Sequence, residues 1–377
     1  MITNPALTNQ SKSGNGQEPT NIQRRTLIGG ALAALLSSSG RTTRFLTTIR
    51  FSTLFCYTVA LTALIAAEPV QAAVWNADVG AQNTDLGNQA LAFLPSELWI
   101  HAGDSIAWRF ATAEPHTFSF LTADQIRPPF FPVNVGCPGT TPDGSFVTGA
   151  SCVNSGVLVS GQTYTVTFPT PGNFKLVCLV HIRMTGAVHV LSLSETLPHD
   201  QAFYDHEVQN GRTEMLSDAS GLSGRGNSTA QRDSGNEVTV GIAEVVATTG
   251  GGASTSAVMR FLRGETTVHV GDTVEWTNLG PTVLHTVTFG MEPANLVPPS
   301  AGVTVDSDGA RHAVVGSPTD SVNSGFLGVA TQDRVGLAQS PLDVTRFRVT
   351  FTAPGTFNYI CGLHDNLGMV GTVVVLP

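Results

Sequence analysis

The stretch "VCLVHIRMTG" (residues 177–186) contains a thiol, an imidazole and a thioether at three-residue intervals, in Cys178, His181 and Met184. These donors suit copper, because Cu(I) prefers sulfur and both oxidation states accept imidazole. The stretch alone is ambiguous, since a methionine at a strand end more often fills a core than binds a metal. Its interpretation depends on whether the same set of donors recurs.

An internal repeat supplies a second set of the same donors. The segment "VTFPTPGNFKLVC", which ends at Cys178, matches "VTFTAPGTFNYIC", which ends at Cys361. Earlier in each copy, "HTFSF" begins at His116 and "HTVTF" begins at His285. Each copy therefore offers one thiol, two imidazoles and one thioether. The predicted ligand sets are His116, Cys178, His181 and Met184, and then His285, Cys361, His364 and Met369.

The elements that must position these donors are short strands. "FLPSELWIHAGDSIAW" (93–108) matches "FLRGETTVHVGDTVEW" (261–276), and both alternate apolar and polar residues around a Gly-Asp turn. "VNSGVL" likewise recurs as "VNSGFL". Only 12% of residues are charged, and 39 glycines and 21 prolines separate the short apolar runs. This pattern predicts an all-β chain of two tandem antiparallel sandwiches.

The pattern resembles the cupredoxins, the blue copper proteins that include plastocyanin, azurin and amicyanin. The resemblance covers most of residues 74–195 and 237–377, and it implies Greek-key sandwiches that each bind one type 1 copper. The implied ligands are the two sets given above. The second loop, C-x2-H-x4-M, is similar to that of plastocyanin, and the first, C-x2-H-x2-M, to the shorter amicyanin loop. The resemblance also implies that the Thr117 and Thr286 hydroxyls donate to the cysteine sulfurs, although both residues equally suit a strand.

The predicted organisation has four segments. Residues 1–72 form a targeting segment, 73–195 the first cupredoxin domain, 196–236 a linker with a short helix, and 237–377 the second domain. In the linker, "HDQAFYDHEVQNGRTEMLSD" suggests the short helix and "SGLSGRGNST" suggests a flexible stretch.

The targeting segment has the features of an export signal. Arg24 and Arg25 precede the apolar "TLIGGALAALL", and a second apolar run, "FSTLFCYTVALTALIAA", leads to small residues before a cut after Ala72. We therefore expect a periplasmic or extracellular protein. An uncleaved membrane anchor is the alternative, and it is the only membrane association that the sequence suggests.

Cysteine usage and charge agree with export. Cys137 and Cys152 bracket a loop that a disulfide would close, for about 3 kcal/mol on the chain-entropy model. Without residues 1–72, the chain keeps 13 of 19 Lys and Arg residues and 26 of 28 Asp and Glu residues. Such an acidic chain is not expected to bind nucleic acid.

Electron transfer through two type 1 coppers is the predicted function, with transient redox proteins as donor and acceptor. Apolar residues beside the copper histidines are candidate docking patches for those partners. These residues are Leu179, Ile182, Leu363 and Leu367.

An enzymatic role is not predicted. Multicopper oxidases and copper nitrite reductases, which stack similar sandwiches, place a histidine directly beside the copper cysteine. Neither Cys178 nor Cys361 has a histidine neighbour, and the sequence contains no His-x-His pair. Two alternatives remain: a copper-binding or delivery protein without a redox partner, and an oxidase or reductase with an extra metal site between subunits. The latter would use His101, His189 or His269.

Overall fold

The computed structural model describes residues 71–125, 127–128, 137, 145–230, 235–280, 283–328 and 344–377. The predicted targeting segment lies outside the described residues, apart from its last two positions. No helix in the described ranges is long and apolar enough to cross a membrane.

The first half of the described chain forms a two-sheet sandwich, the first sandwich. One sheet has the strand order β2-β1-β4-β8-β6, and the facing sheet has the order β3-β10-β9-β5-β7. The strands are β1 (Val74–Gln82), β2 (Asn88–Leu94), β3 (Glu97–His101), β4 (Ser105–Phe110), β5 (Ser119–Phe120), β6 (Ser145–Phe146), β7 (Val153–Asn154), β8 (Thr163–Thr167), β9 (Gly172–Val177) and β10 (Thr185–Leu191).

The second half repeats this arrangement in the second sandwich. Its sheets have the orders β12-β11-β14-β19-β17-β16 and β13-β21-β20-β15-β18. The strands are β11 (Glu237–Ala247), β12 (Ala253–Leu262), β13 (Glu265–His269), β14 (Thr273–Leu279), β15 (Thr288–Phe289), β16 (Thr304–Val305), β17 (Arg311–Val315), β18 (Val322–Asn323), β19 (Arg346–Phe351), β20 (Gly355–Ile360) and β21 (Val370–Leu376). The parallel pair β1–β4 corresponds to β11–β14, and β3–β10 corresponds to β13–β21.

Each sandwich closes around an aromatic core. Trp108 and Trp276, which occupy equivalent places in the sequence repeat, are both fully buried. Trp108 packs on Phe93 and Phe118, and Trp276 packs edge-on against Tyr359. The all-β tandem fold predicted from the repeat is confirmed.

The two sandwiches share one continuous sheet. Strand β12 pairs antiparallel with β2, so that Thr255 lies opposite Leu91 and Ala257 opposite Gln89. This pairing satisfies the backbone groups of two edge strands that would otherwise be open to another chain. The two domains are therefore held edge to edge through backbone hydrogen bonds.

A single helix, α1 (Gln201–Ala230), crosses the joined sheet and is longer than the short helix predicted. Asp200 caps its first turn by accepting a hydrogen bond from the Phe203 N–H at 2.9 Å. The helix continues through the Gly- and Ser-rich stretch because one face is buried along its length. The buried side chains are Tyr204, Val208, Met215, Ala219 and Leu222. They pack on both sandwiches, against residues such as Leu94 and Leu262.

A disulfide joins Cys137 to Cys152. The carbonyl oxygen of Cys137 accepts a hydrogen bond from the Asn154 side-chain amide at 2.8 Å, which ties the bridge to strand β7. The disulfide predicted from cysteine spacing is present.

Candidate metal centres

Strand ends and a backbone bridge bring the first set of donors together. Cys178 directly follows β9, and the loop that carries His181 and Met184 ends where β10 begins. His116 is fixed by reciprocal backbone hydrogen bonds with Leu158, at 3.0 and 2.9 Å. The upstream histidine therefore approaches the loop from a separate part of the sheet.

His116, Cys178 and His181 form a compact buried triangle, the first centre. The Cys178 Sγ lies 3.8 Å from Nδ1 of His116 and 3.7 Å from Nδ1 of His181, and the two Nδ1 atoms are 3.1 Å apart. Burial opposes ionisation of the thiol, but hydrogen bonds from both imidazoles outweigh it and lower the pKa of Cys178 well below its ordinary value. A thiol that ionises readily is a prepared metal ligand.

His285, Cys361 and His364 form the equivalent second centre. The Cys361 Sγ lies 3.7 Å from Nδ1 of His285 and 3.3 Å from Nδ1 of His364, and the Nδ1 atoms are 3.1 Å apart. The pKa of Cys361 is also lowered well below its ordinary value, because the charge and hydrogen bonds of the two histidines exceed the effect of burial.

The dimensions and donor types of both triangles fit copper. Two nitrogens about 2.0 Å and one sulfur about 2.3 Å from a central ion, all in one plane, would lie about 3.5 to 3.7 Å from each other. The observed separations bracket those values. One thiolate with two imidazoles is also the trigonal donor set that blue copper sites use.

The two loops differ in length but close in the same way. The Cys178 N–H donates to the Met184 carbonyl oxygen at 3.0 Å, and the Cys361 N–H donates to the Met369 carbonyl oxygen at 3.0 Å. The two additional residues of the second loop are accommodated by a 3₁₀ turn, Asp365–Leu367. Met184 and Met369 are fully buried at matching positions, and their role as axial ligands stays a prediction.

The threonines after the upstream histidines contact the cysteines through their backbone and, in the first centre, also through the predicted hydroxyl. In both centres the backbone N–H reaches the sulfur, at 3.4 Å from Thr117 and 3.3 Å from Thr286. Both hydroxyls accept hydrogen bonds from the residue after each cysteine, Leu179 at 2.6 Å and Gly362 at 2.8 Å. The Thr117 hydroxyl is 4.0 Å from the sulfur, so the backbone supplies the closer contact.

The repeated "VNSG" segments, which had no predicted role, hold the strand after each upstream histidine. The Ser155 hydroxyl accepts a hydrogen bond from the Phe118 N–H, and the Ser324 hydroxyl accepts one from the Val287 N–H, each at 2.9 Å. These bonds fix the backbone two residues beyond His116 and His285.

Two glycines make room for the upstream imidazoles. Gly80 and Gly241 lie at matching bulges in β1 and β11, with φ of +70° and +67°. A Cβ atom at Gly241 would overlap Nε2 of His285, and one at Gly80 would overlap the Thr112 side chain and lie 3.0 Å from Nε2 of His116. The lack of space for a Cβ atom favours glycine at both positions. The positive φ also favours it, because other residues rarely adopt that conformation. The repeated Val-Gly pair was the sequence signal for this position.

A buried carboxylate, Glu114, connects the two centres and was missed in the sequence. Its Oε1 lies 3.1 Å from Nε2 of His181 and 3.4 Å from Nε2 of His364. Burial raises the pKa of the carboxyl, but the two histidines together hold it below its ordinary value. Burial lowers the pKa of both outer imidazoles, but Glu114 and the cysteine of each centre together raise the pKa of His181 to about 9 and that of His364 to about 10.

His181 and His364, here called the outer histidines, face the junction of the two sandwiches. They are only 4% and 3% exposed. Leu179 and Leu367, predicted as parts of docking patches, are also buried, and Leu367 packs into the core of the first sandwich. Leu179 is covered by Cys137 and Val177 of its own domain, whereas Ile182 and Leu363 are half-buried, so each predicted patch is only partly covered.

The histidines considered for an additional site lie elsewhere. His189 stacks on Trp99 and contacts Glu97 at 2.8 Å, and His101 contacts the Glu195 carbonyl oxygen at 2.8 Å. His269 is exposed. In the described part of the chain, the His, Cys, Asp and Glu groups compact enough to hold a metal ion are the two centres above.

The fold and the two triangles define a tandem β-sandwich protein with paired His/Cys/His centres. A family model described as copper binding proteins of the plastocyanin/azurin family matches residues 81–191 and 247–376, more than half of the chain. The chain therefore belongs to that family, as the sequence resemblance predicted.

Individual relatives match about a third of the chain. Amicyanin-alpha of Methylorubrum extorquens is 30% identical over 129 residues, which are 34% of this chain and 87% of that protein. Among solved structures, amicyanin of Paracoccus versutus is 21% identical and matches 33% of this chain and 87% of its own, with a TM-score of 0.21. Oxidised plastocyanin of Dryopteris crassirhizoma is 19% identical and matches 37% of this chain and 99% of its own, with a TM-score of 0.20.

Proposed function

We propose that this protein carries electrons through two type 1 copper centres in one chain. The observation that carries the proposal is the pair of matched, buried triangles, each with one cysteine and two histidines. Copper bound there would supply one-electron chemistry. The chain's own residues hold the donor atoms in a nearly fixed geometry, which favours a change of oxidation state without rearrangement.

The donor sets support a carrier rather than an enzyme. Each set of four predicted ligands would fill its centre, whereas metal catalysis needs an open position for substrate. The residues beside the cysteines are also apolar or glycine, so the histidine that links copper sites in the related enzymes is absent from the sequence. We propose redox proteins as the transient donor and acceptor.

We also propose that the protein works outside the cytoplasm. The N-terminal segment has the charge and hydropathy of an export signal. The disulfide between Cys137 and Cys152 supports the same location, because such bonds persist in oxidising compartments.

The surroundings of the two cysteines differ in charge. The buried guanidinium of Arg127 donates to the Cys178 carbonyl oxygen. Burial lowers the pKa of Arg127 to about 10, so it remains a cation at neutral pH. At the second centre the cation, Arg260, donates to the Leu367 carbonyl oxygen, six residues beyond Cys361, and Leu296 and Glu292 lie beside Gly362. A nearby cation favours the less positive Cu(I), so we propose that the first centre has the higher potential.

Replacing Arg127 with methionine should therefore lower the potential of the first centre by several tens of millivolts, where about 59 mV corresponds to a tenfold change for one electron. The second centre should not change. Spectroelectrochemistry of each variant measures both values. Lys175→Met, which removes an exposed cation from strand β9, is the control and should have a smaller effect. An unchanged first potential in Arg127→Met would contradict the assignment.

A reductive titration of the copper-loaded protein tests the proposed function against copper delivery. A carrier should take up one electron at each centre, return it on reoxidation and retain its copper. A delivery protein without a redox partner should instead lose copper on reduction, or fail to reoxidise. The second result would overturn the proposal.

A further inference from the structure

Glu114 occupies a position that only one of the two domains provides. It stands two residues before His116, and the residue two before His285 is Val283. One carboxylate therefore serves both domains. Its Oε1 contacts the outer histidine of its own domain and the outer histidine of the other domain.

The contacts leave little space between the two centres. Both use the same oxygen, so the Nε2 atoms of His181 and His364 are separated by no more than the sum of 3.1 and 3.4 Å. The Nδ1 atom of each ring faces its own cysteine sulfur, at 3.7 and 3.3 Å. A continuous line therefore runs from Cys178 through His181, Glu114 and His364 to Cys361, made of covalent bonds, hydrogen bonds and the 3.4 Å ion pair between Glu114 and His364.

The surroundings of Glu114 exclude water and fix its position. The residue is 1% exposed, and its backbone N–H donates to the Thr112 hydroxyl at 3.1 Å. Val283 is buried beside this junction, in the core of the first sandwich. Hydrogen bonds to a buried carboxylate are strong, because the local dielectric is low and water does not compete.

The second domain is locked against the first at the same place. The Arg260 side chain donates to the Leu367 carbonyl oxygen at 2.6 Å and also to the Asp85 carbonyl oxygen. Leu367 belongs to the turn between His364 and Met369, and Asp85 belongs to the turn between β1 and β2. Arg260 therefore holds the second loop on the first sandwich, which keeps His364 within reach of Glu114.

We propose that Glu114 couples the two centres, so that electrons pass between them inside the chain through the outer histidines. In this role Glu114 is a positioning residue that orients both rings with their Nε2–H groups toward one oxygen. This inference rests on the proposed function, since it requires that both centres bind copper and change oxidation state. It assigns the outer histidines to exchange between domains rather than to contact with a partner.

The exchange balances without another reactant. One electron leaves the centre of lower potential, which is oxidised from Cu(I) to Cu(II), and reduces the other centre from Cu(II) to Cu(I). No bond to a substrate forms, and both Nε2 protons stay on their rings. Glu114 therefore remains an ionised acceptor throughout.

The first test measures the bridge itself and does not depend on electron transfer. In the chain loaded with diamagnetic Cu(I) and isotope-labelled histidine, nuclear magnetic resonance should detect two slowly exchanging Nε2 protons, from His181 and His364. The exposed His206 gives the reference rate. If either outer histidine exchanged as fast as His206, the shared hydrogen bonding would be disproved.

The second test measures exchange between the centres. One electron is delivered to the fully oxidised, copper-loaded chain by pulse radiolysis, and its redistribution is followed as a process independent of protein concentration. Glu114→Leu should slow that process by about 10- to 100-fold, the range by which losing a hydrogen-bond partner of a metal-bound histidine lowers metal affinity or activity. Glu114→Gln keeps the side-chain volume and one acceptor oxygen, so its redistribution rate should lie between those of the wild-type protein and Glu114→Leu. It is the variant to use if leucine prevents folding.

Glu97→Gln is the matched control. Glu97 pairs with His189 at 2.8 Å in a similar carboxylate–imidazole contact away from both centres, so its replacement should leave the redistribution rate unchanged. An unchanged rate in copper-loaded Glu114 variants would overturn the inference while the proposed function stood. Failure of the wild-type protein to cycle in the reductive titration would instead overturn the proposed function.

Discussion

Cys361→Ser should remove one copper centre and leave the other intact. Serine has the size of cysteine but offers a hard hydroxyl that stays protonated, so it cannot replace the soft thiolate. We expect the variant to bind one copper per chain and to lose the share of blue absorbance that belongs to the second centre. Copper analysis together with the visible spectrum measures both effects.

Cys178→Ser is the matched variant for the first centre, and the double variant should be colourless. Because the two sulfurs belong to separate triangles, the losses in the single variants should add to the total. A blue double variant would show that the thiolates at these positions are not the source of the colour. A colourless single variant would show that the two centres do not form independently.

Gly241→Ala should damage the second centre without changing any predicted ligand. The new methyl group would overlap Nε2 of His285, so the ring must leave the position that places Nδ1 against Cys361. The positive φ at this residue adds strain of about 1 to 3 kcal/mol for a residue other than glycine. We expect weaker copper binding at the second centre and a lower free energy of unfolding, measured by copper titration and by denaturant melts of the metal-free chain.

Gly271→Ala separates these two effects. Gly271 also has a positive φ, of +94°, but a Cβ atom there would meet nothing within 4 Å. The control should lose stability through strain alone and keep its copper affinity. Equal copper affinities in the two variants would show that the bulge in β11 does not position His285.

The repeat made the centres predictable from the sequence. Each cysteine follows a strand that ends in an apolar residue, and each upstream histidine begins a matching segment, so two independent copies identified the same donors. Comparison of the two copies also predicted the fold, because the strand pattern recurs together with the ligands. For Cys178 and His181, the sequence already identified the residues, and the structure adds the distances between their donor atoms.

Features that differ between the copies were also missed, as were the supporting serines and glycines that the copies share. Glu114 has Val283 as its counterpart, so a search for matched residues passed over it. The pairing of β12 with β2 depends on which edges meet, and alternating patterns within one strand do not encode that. The helix was predicted to be too short for a related reason, since its glycines and serines disfavour a helix in isolation and are stabilised by packing on both sandwiches.

The joined sheet changes the expected relation between the domains. A flexible linker would let each copper loop meet its own partner, whereas β2, β12 and α1 hold the two loops face to face. The outer histidines are consequently enclosed. Partners of such a protein would have to reach the centres by another route, while exchange between the centres needs no motion of one domain against the other.

Electron spin resonance of the Cu(II)-loaded chain, quantified against copper content, distinguishes two type 1 centres from any other mode of copper binding. Two type 1 centres per chain predict two coppers per chain, both with the narrow hyperfine splitting that strong thiolate bonding produces, and each lost separately in the Cys178 and Cys361 variants. One copper per chain, or signals of ordinary tetragonal Cu(II) without thiolate bonding, would contradict the account.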